Sequence, residues 1–181
     1  MGKCLIVIDY TYDFVADDGK LTCGKPGQAI EDRITALTEE FIRNGDFVVM
    51  AVDGHEPGDP YHPESRLYPP HNIYQTSGRD LYGKLNDIYQ YNKERVYWMD
   101  KTRYSAFAGT DLEIRLRSRG ITELHLAGVC TDICVLHTAV DAYNKGFALV
   151  IYRGAVQSFN QAGHEWALGH FASALGAEVV D

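Results

Sequence analysis

The chain has 181 residues, 45% of them hydrophobic and 23% charged, which is typical of one globular domain with a full core, here spanning residues 1–181. Asp and Glu (25) outnumber Lys and Arg (17), and the formal net charge of −8 argues against nucleic acid as a partner. The longest apolar runs last six residues, too few to cross a membrane. Four cysteines without a signal-peptide pattern favour reduced thiols in the cytoplasm over a disulfide scaffold.

Five short apolar runs have the length of β-strands. They are continuous rather than alternating in polarity, as expected for strands buried on both faces of a parallel sheet. In chain order the five runs cover residues 4–8, 47–52, 95–99, 124–129 and 147–152, and a short final strand is expected at residues 177–180.

Helical patterns alternate with these runs. The spacing of apolar residues and the helix-terminating glycines predict helices over residues 30–41, 110–119, 132–144 and 161–175. Thr110-Asp111-Leu112-Glu113 is typical of a capping box at a helix start. The alternation of strands and helices predicts an α/β fold with three layers (αβα) around a mostly parallel central sheet of about six strands. Residues 54–92, rich in Pro, Tyr, Gly and Asp, are predicted to be irregular, and so long a segment is more often functional than idle.

Chemically active side chains follow four of the predicted strands. In chain order they are Asp9; Asp53 with His55; Asp100 with Lys101; and Cys130 with Cys134. One such residue at a strand end is commonly only solvated or paired, but sites in open α/β sheets form beyond the carboxyl ends of the strands. The topology therefore brings an acid, a lysine and a thiol to one edge of the sheet.

Cys134 is the candidate nucleophile. With Thr131 or Asp132 as the N-cap, it lies near the first turn of a helix, where backbone N–H groups favour a thiolate and can hold an oxyanion. Lys101 would lower the pKa of the thiol, and Asp9 could accept its proton. The alternative is a small buried hydrophobic residue, the ordinary state of a free cysteine.

A candidate metal site follows the second strand. Three of the seven histidines fall within residues 53–71. Asp53 and His55 point the same way on an extended segment, and imidazole with carboxylate suits zinc, iron or manganese. The alternative is a polar loop whose histidines contact nothing. Near these polar groups in sequence are aromatic residues that could form a flat apolar slot for an aromatic ring. These residues are Phe14, Tyr68, Tyr104 and Phe107.

On these residues the sequence resembles the isochorismatase-like cysteine hydrolases, and within them the nicotinamidases. Four stretches carry the resemblance, in the right order and spacing, over more than a third of the chain. They are LIVIDYTYDFV (5–15), VDGHEPGDPYHPESRLYPPH (52–71), WMDKTRYSAFAGTDLEIRLR (98–117) and GVCTDICVLHTAVDAYNKG (128–146). The fold of that family, a mostly parallel sheet of about six strands between helices, agrees with the fold predicted above.

The resemblance implies a role for each candidate catalytic residue. Cys134 would be the nucleophile, Asp9 the base and proton shuttle, and Lys101 the polarising cation. A cis peptide bond at Val129–Cys130 would direct the backbone N–H groups of Cys130 and Cys134 into an oxyanion hole.

The resemblance also implies one divalent metal ion, zinc first, with iron or manganese as alternatives. Its ligands would be Asp53, His55 and His71, with a fourth that varies among relatives. Glu64 fits the close bacterial members, and His62 is the competitor.

The substrate pocket implied by the resemblance contains Phe14, Tyr68 and Tyr104, and we add Val129. Tyr68 departs from the family pattern, in which Trp or Phe is frequent, so the details of ring stacking differ here. Self-association of the chain is inferred only from relatives.

The implied reaction is hydrolysis of nicotinamide, a small aromatic amide, to nicotinate and ammonia through a cysteine thioester, as in NAD salvage, with the metal binding the pyridine nitrogen. Alternatives are amidases of the same family acting on pyrazinamide-type, carbamoyl or ureido substrates, or an isochorismatase. Two roles outside hydrolysis are a non-catalytic ligand-binding protein and a redox pair formed by Cys130 and Cys134.

Overall fold

The structure is a computed structural model that describes residues 2–181. Its six strands form one sheet in the order β3-β2-β1-β4-β5-β6, and every neighbouring pair is parallel. The strands are β1 (Gly2–Ile8), β2 (Phe47–Asp53), β3 (Val96–Lys101), β4 (Ile121–Val129), β5 (Ala148–Gln157) and β6 (Glu178–Val180). The predicted parallel sheet of about six strands is confirmed.

Seven α-helices connect and flank these strands. They are α1 (Tyr12–Val15), α2 (Gly24–Ala29), α3 (Glu31–Asn44), α4 (Gly83–Tyr91), α5 (Leu112–Ser118), α6 (Leu136–Asn144) and α7 (Gln161–Leu175). Helix α4 lies within residues 54–92, which were predicted to be irregular throughout. Leu85, Ile88 and Tyr89 of this helix have helical spacing, but the pattern is short and lies in a segment rich in Pro, Tyr and Gly, so the helix was missed.

The helices cover both faces of the sheet, which confirms the three-layer architecture. Strand β1 shows why the strands are apolar on both sides. Ile6 and Ile8 pack with residues of α5, α6 and α7, whereas Leu5 and Val7 pack with residues of α3 and α4. Burial on both faces requires continuous apolar runs rather than alternation.

The strand order creates a crevice between β1 and β4. Strands β2 and β3 lie in turn on the outer side of β1, and strands β5 and β6 lie in turn on the outer side of β4. In open α/β sheets, ligands bind at such a switch point, outside the carboxyl ends of the strands. Gly128 near the end of β4 lets the two strands approach, because its φ is +118° and a Cβ there would lie 1.9 Å from the carbonyl oxygen of Ile8.

The capping-box prediction is wrong, because Asp111 and not Thr110 is the N-cap of α5. Thr110 lies one residue earlier, and its Oγ1 accepts a local hydrogen bond from the backbone N–H of Leu112 at 3.3 Å. Glu113 does not reach back to close the box, because its carboxylate binds Lys145 Nζ at 2.6 Å. Among residues 2–181, no helix combines the length and apolar character that a membrane span requires.

Candidate active site

The side chains that follow β1 and β4 meet the last residue of β3 at the carboxyl edge of the sheet. Lys101 Nζ lies 2.7 Å from Asp9 Oδ2 and 3.7 Å from Cys134 Sγ. Asp9 and Lys101 are almost fully buried, and Cys134 is 7% exposed. Asp9 is held in the left-handed region, with a φ of +55°, and its Oδ1 accepts a hydrogen bond from the backbone N–H of Asp53 at 2.8 Å. The three candidate catalytic residues therefore form one contiguous cluster.

Cys134 lies in a turn of π-helix, Thr131–Val135, that joins β4 to α6. The backbone N–H of Val135 donates to the carbonyl of Cys130, five residues back, at 3.1 Å. Turns of this kind are frequent at functional sites. The Val129–Cys130 peptide bond is cis, as the resemblance implied.

The predicted N-cap is wrong, because Cys130 occupies that position and the two polar candidates bond elsewhere. Thr131 Oγ1 lies 2.8 Å from His164 Nδ1. Asp132 Oδ1 accepts a hydrogen bond from Ser158 Oγ at 2.6 Å. Both side chains thus tie the turn to the start of α7 and its preceding loop.

The electrostatics of the cluster differ from the sequence prediction at the thiol. Burial raises the pKa of Cys134; Lys101 opposes this, and the carboxylates of Asp9 and Asp53 add to it, so the net direction is upward. Burial also raises the pKa of Asp9, to about 6, against the effect of Lys101. Although burial favours a neutral amine, the two carboxylates and the thiol raise the pKa of Lys101. At neutral pH the cluster therefore holds a thiol, a carboxylate and an ammonium.

A second buried cluster lies beside the first and consists of Asp53, His55, Glu64 and His71. One ligand atom from each residue can be chosen so that all four lie within 4.8 Å of one another. Asp53 Oδ2 is 2.6 Å from His55 Nε2, and His71 Nε2 is 3.4 Å from Glu64 Oε2.

Two observations show that this cluster fits a cation. Among residues 2–181, Asp53 Oδ1 and His71 Nε2 are both buried without a hydrogen-bond partner. Burial would lower the pKa of His71, yet the nearby carboxylates of Asp53 and Glu64 raise it to about 10. His71 Nδ1 is 2.8 Å from the carbonyl of Pro69, which leaves Nε2 available to a metal. The donor set of two imidazoles and two carboxylates suits zinc, iron or manganese.

His62 lies next to this cluster but does not join it. Its Nε2 is 2.6 Å from the carbonyl of Thr102, and its Nδ1 accepts a hydrogen bond from the backbone N–H of Glu64 at 3.2 Å. Because both ring nitrogens are engaged, the structure favours Glu64 over His62 as the fourth ligand.

A narrow cavity opens at the thiol. Phe14, Tyr68 and Tyr104 line it together with Cys134, in agreement with the predicted aromatic slot. Val129 and Phe107 lie elsewhere. Val129 is completely buried in the core beside α3, and Phe107 packs on the opposite face against Phe147, with ring centroids 5.9 Å apart. Val129 was assigned from its neighbourhood in sequence, but as part of a central strand its side chain enters the core.

Comparisons with known proteins agree with this geometry. The family model described as "Isochorismatase domain" matches residues 3–181. The chain belongs to the isochorismatase family. Within the family it is 68% identical over 183 residues to a protein of Bacillus subtilis (strain 168) named "Uncharacterized isochorismatase family protein PncA", with 100% of both chains covered.

Solved structures of isochorismatase-family proteins match over the whole chain. Nicotinamidase/pyrazinamidase PncA from Bacillus subtilis has a TM-score of 0.98 and 62% identity, covering 100% of both chains. The pyrazinamidase of Pyrococcus horikoshii in complex with zinc has a TM-score of 0.87 and 28% identity, covering 100% of this chain and 99% of that one.

Sequence reasoning missed several residues of this isochorismatase-family site. Leu21, Ile133 and Phe159 also line the cavity. Ile133 could have been found from its place directly before Cys134, whereas Leu21 and Phe159 stand on loops with no recognisable pattern. Arg79 was also missed; its Nε donates to the carbonyl of Asp53 at 2.8 Å and so fixes the end of β2.

Proposed function

We propose that this protein is a metal-dependent nicotinamidase, which hydrolyses nicotinamide to nicotinate and ammonia through a thioester on Cys134 and so serves NAD salvage. The observation that carries the proposal is the contact of Cys134 Sγ with Lys101 Nζ, itself paired with Asp9, at the wall of an aromatic-lined cavity. The names of the similar solved structures support the same substrate class.

In the first half of the reaction Asp9 takes the proton of the Cys134 thiol as the sulfur attacks the amide carbonyl. A carboxyl group whose pKa is raised to about 6 is still ionised at neutral pH and is a stronger base than an ordinary aspartate. The backbone N–H groups of Cys130 and Cys134 stabilise the developing oxyanion. Asp9 then delivers the proton to the departing nitrogen, so that ammonia leaves and the acyl group remains on sulfur.

In the second half water replaces ammonia. Asp9 accepts a proton from the water, whose oxygen attacks the thioester carbonyl, and the C–S bond breaks. The proton returns to the sulfur, and nicotinate is released. Lys101 keeps its charge throughout and holds Asp9 and the sulfur in contact, which is why its ammonium is completely enclosed.

Asp53, His55, Glu64 and His71 would hold the divalent metal, with zinc first and iron or manganese as alternatives. A metal held there supplies a positive charge that can bind the ring nitrogen of the substrate and orient the ring. Glu64 links the two parts of the site, because it belongs to the metal cluster and also lines the cavity at the thiol.

The test is ammonia release from a panel of amides by the purified protein and by Cys134→Ala. The panel contains nicotinamide, pyrazinamide, benzamide (which lacks a ring nitrogen) and a carbamoyl amide. We expect turnover of nicotinamide and pyrazinamide, little of benzamide, and none by the variant, whose fold the methyl group preserves. Ammonia release by Cys134→Ala at a rate near that of the parent protein would refute the assignment of Cys134 as the nucleophile.

The same assay tests the metal. Complete removal of metal by a chelator should abolish turnover of nicotinamide, and zinc should restore it. Activity that survives metal removal would overturn the role proposed for residues 53–71. Preferred turnover of the carbamoyl amide would point to the ureido and carbamoyl branch of the family instead.

A further inference from the structure

Phe159 is a large apolar side chain that the reaction described above does not use. It lies in the short connection between β5 and α7, and it is 50% exposed. Its ring lines the same cavity as Cys134, Phe14 and Tyr104. An exposed aromatic ring at the wall of an apolar cavity is the kind of surface that a bound ligand covers.

The residues on either side of Phe159 are anchored to the turn that carries Cys134. Ser158 is buried and donates from Oγ to Asp132 Oδ1 at 2.6 Å. Asn160 donates from its backbone N–H to Ser158 Oγ at 3.2 Å and from Nδ2 to Asp132 Oδ2 at 3.4 Å. Because Asp132 lies two residues before Cys134, the position of the Phe159 backbone is linked directly to the position of the sulfur.

The first turn of α7 completes this anchor. Asn160 Oδ1 accepts a hydrogen bond from the backbone N–H of Gly163 at 3.1 Å and so caps the helix. A Cβ on Gly163 would lie 2.0 Å from Asp132 Oδ2, so glycine is needed for this close approach. The backbone on both sides of Phe159 is therefore anchored to the turn that carries Cys134.

We propose that Phe159 is a specificity-determining residue, which forms the outer wall of the substrate slot and restricts the acyl group to one small aromatic ring. This inference rests on the proposed amidase function. The cavity beside Cys134 is narrow: its free volume is about 20 Å³, below the usual range of ligand pockets, so it has no spare room for a second fused ring. A phenyl ring on a fixed loop excludes a second fused ring and contacts the first.

The test compares the parent protein with Phe159→Ala on two amides that share a ring nitrogen, nicotinamide and the bicyclic quinoline-3-carboxamide. For nicotinamide, Phe159→Ala should raise KM about tenfold and leave kcat within about threefold, because the lost contact is apolar and remote from the carbonyl. The ratio of kcat/KM for the bicyclic amide to that for nicotinamide should rise at least about tenfold. Phe159→Leu keeps apolar bulk at this position, so its KM should stay close to that of the parent protein.

The matched control is Trp166→Ala on α7. Trp166 is also an exposed aromatic, at 58%, but it stacks on His170. Its removal should change neither KM nor the substrate ratio. An active parent protein with an unchanged KM and an unchanged ratio in Phe159→Ala would overturn this inference alone. A parent protein that hydrolyses no amide would overturn the proposed function and this inference with it.

Discussion

A single ammonium group organises the candidate active site. Lys101 Nζ is within 4 Å of Asp9, Asp53 and the sulfur of Cys134, at 2.7, 3.6 and 3.7 Å respectively. A buried lysine without these partners would lose its proton, and the two carboxylates would repel one another. The cluster is therefore interdependent, and substitutions in it should be judged by charge as well as by shape.

Asp9→Asn should reduce kcat on nicotinamide by at least about a hundredfold, because an amide can neither accept the thiol proton nor deliver it to nitrogen. The shape is preserved, and Lys101 keeps Asp53 as a partner, so the variant should still fold. Steady-state rates and the thermal unfolding midpoint are the measurements. Asp100→Asn is the control, since Asp100 precedes Lys101 but is exposed and bound to Arg79. Equal losses in the two variants would remove Asp9 from the mechanism.

The two histidines at residues 62 and 71 give a direct test of the metal ligands. His71→Ala should lose bound metal, because its Nε2 faces Asp53 and Glu64. His62→Ala should keep one ion per chain, because both nitrogens of His62 are bonded to backbone groups. Metal content after dialysis, measured by mass spectrometry, distinguishes them without an activity assay. Loss of bound metal from His62→Ala would contradict this assignment and make His62 the fourth ligand in place of Glu64.

At the scale of elements, the junction of β1 and β4 carries the site. Asp9 directly follows the end of β1, and the turn with Cys134 follows the end of β4. Gly128 pairs with Ile8 in the ladder between these strands, so any displacement there moves the carboxylate relative to the sulfur. Close packing leaves no room to absorb such a change.

Gly128→Ala should destabilise the protein by about 3 kcal/mol or more, because a methyl group there meets the backbone of Ile8 and the residue keeps a positive φ. Gly169→Ala in α7 is the matched control. Within the described part of the chain nothing lies within 4 Å of its Cβ position, so the change should stabilise by about 0.5–1 kcal/mol. Urea-induced unfolding measures both, and similar values for the two variants would contradict the argument.

At the scale of the whole molecule, the metal cluster joins the sheet to the long segment that follows β2. Asp53 ends that strand, while His55, Glu64 and His71 belong to the segment. The segment has short helical turns, Pro63–Arg66 and Ser77–Arg79, and few backbone hydrogen bonds of regular structure. A bound ion would therefore fasten the segment as well as serve the reaction.

Removal of the metal should lower the thermal midpoint by about 5–10 °C relative to protein with free metal at about a hundred times its Kd. The loss of order should be concentrated in the segment after β2, because three of the four ligands, His55, Glu64 and His71, lie on it. Limited proteolysis should accordingly cleave within residues 54–82 faster in the chelated protein, with the fragments identified by mass. An unchanged midpoint and an unchanged cleavage rate would mean that the ion does not stabilise this segment.

The predicted self-association of the chain stays a prediction.

Much of this arrangement could be predicted from the sequence, for identifiable reasons. Strands buried on both faces give continuous apolar runs, and the residues after those runs, such as Asp9 and Cys134, are brought together by the topology alone. Phe159 could not be predicted, because its place depends on hydrogen bonds between segments far apart in sequence. Nor could the net direction of the pKa of Cys134, which depends on burial and on two carboxylates contributed by other strands.

Asp53 belongs to both halves of the site, since one oxygen lies 2.6 Å from His55 Nε2 and the other 3.6 Å from Lys101 Nζ. The metal cluster and the cluster that contains Cys134 therefore share the negative charge of Asp53. If a relative lost the metal ion but kept an aspartate here, no ion would balance the charge of that carboxylate, which would then act on the Lys101 ammonium alone. We therefore expect relatives that act on substrates without a ring nitrogen to have lost Asp53 together with His55 and His71, and not the two histidines alone.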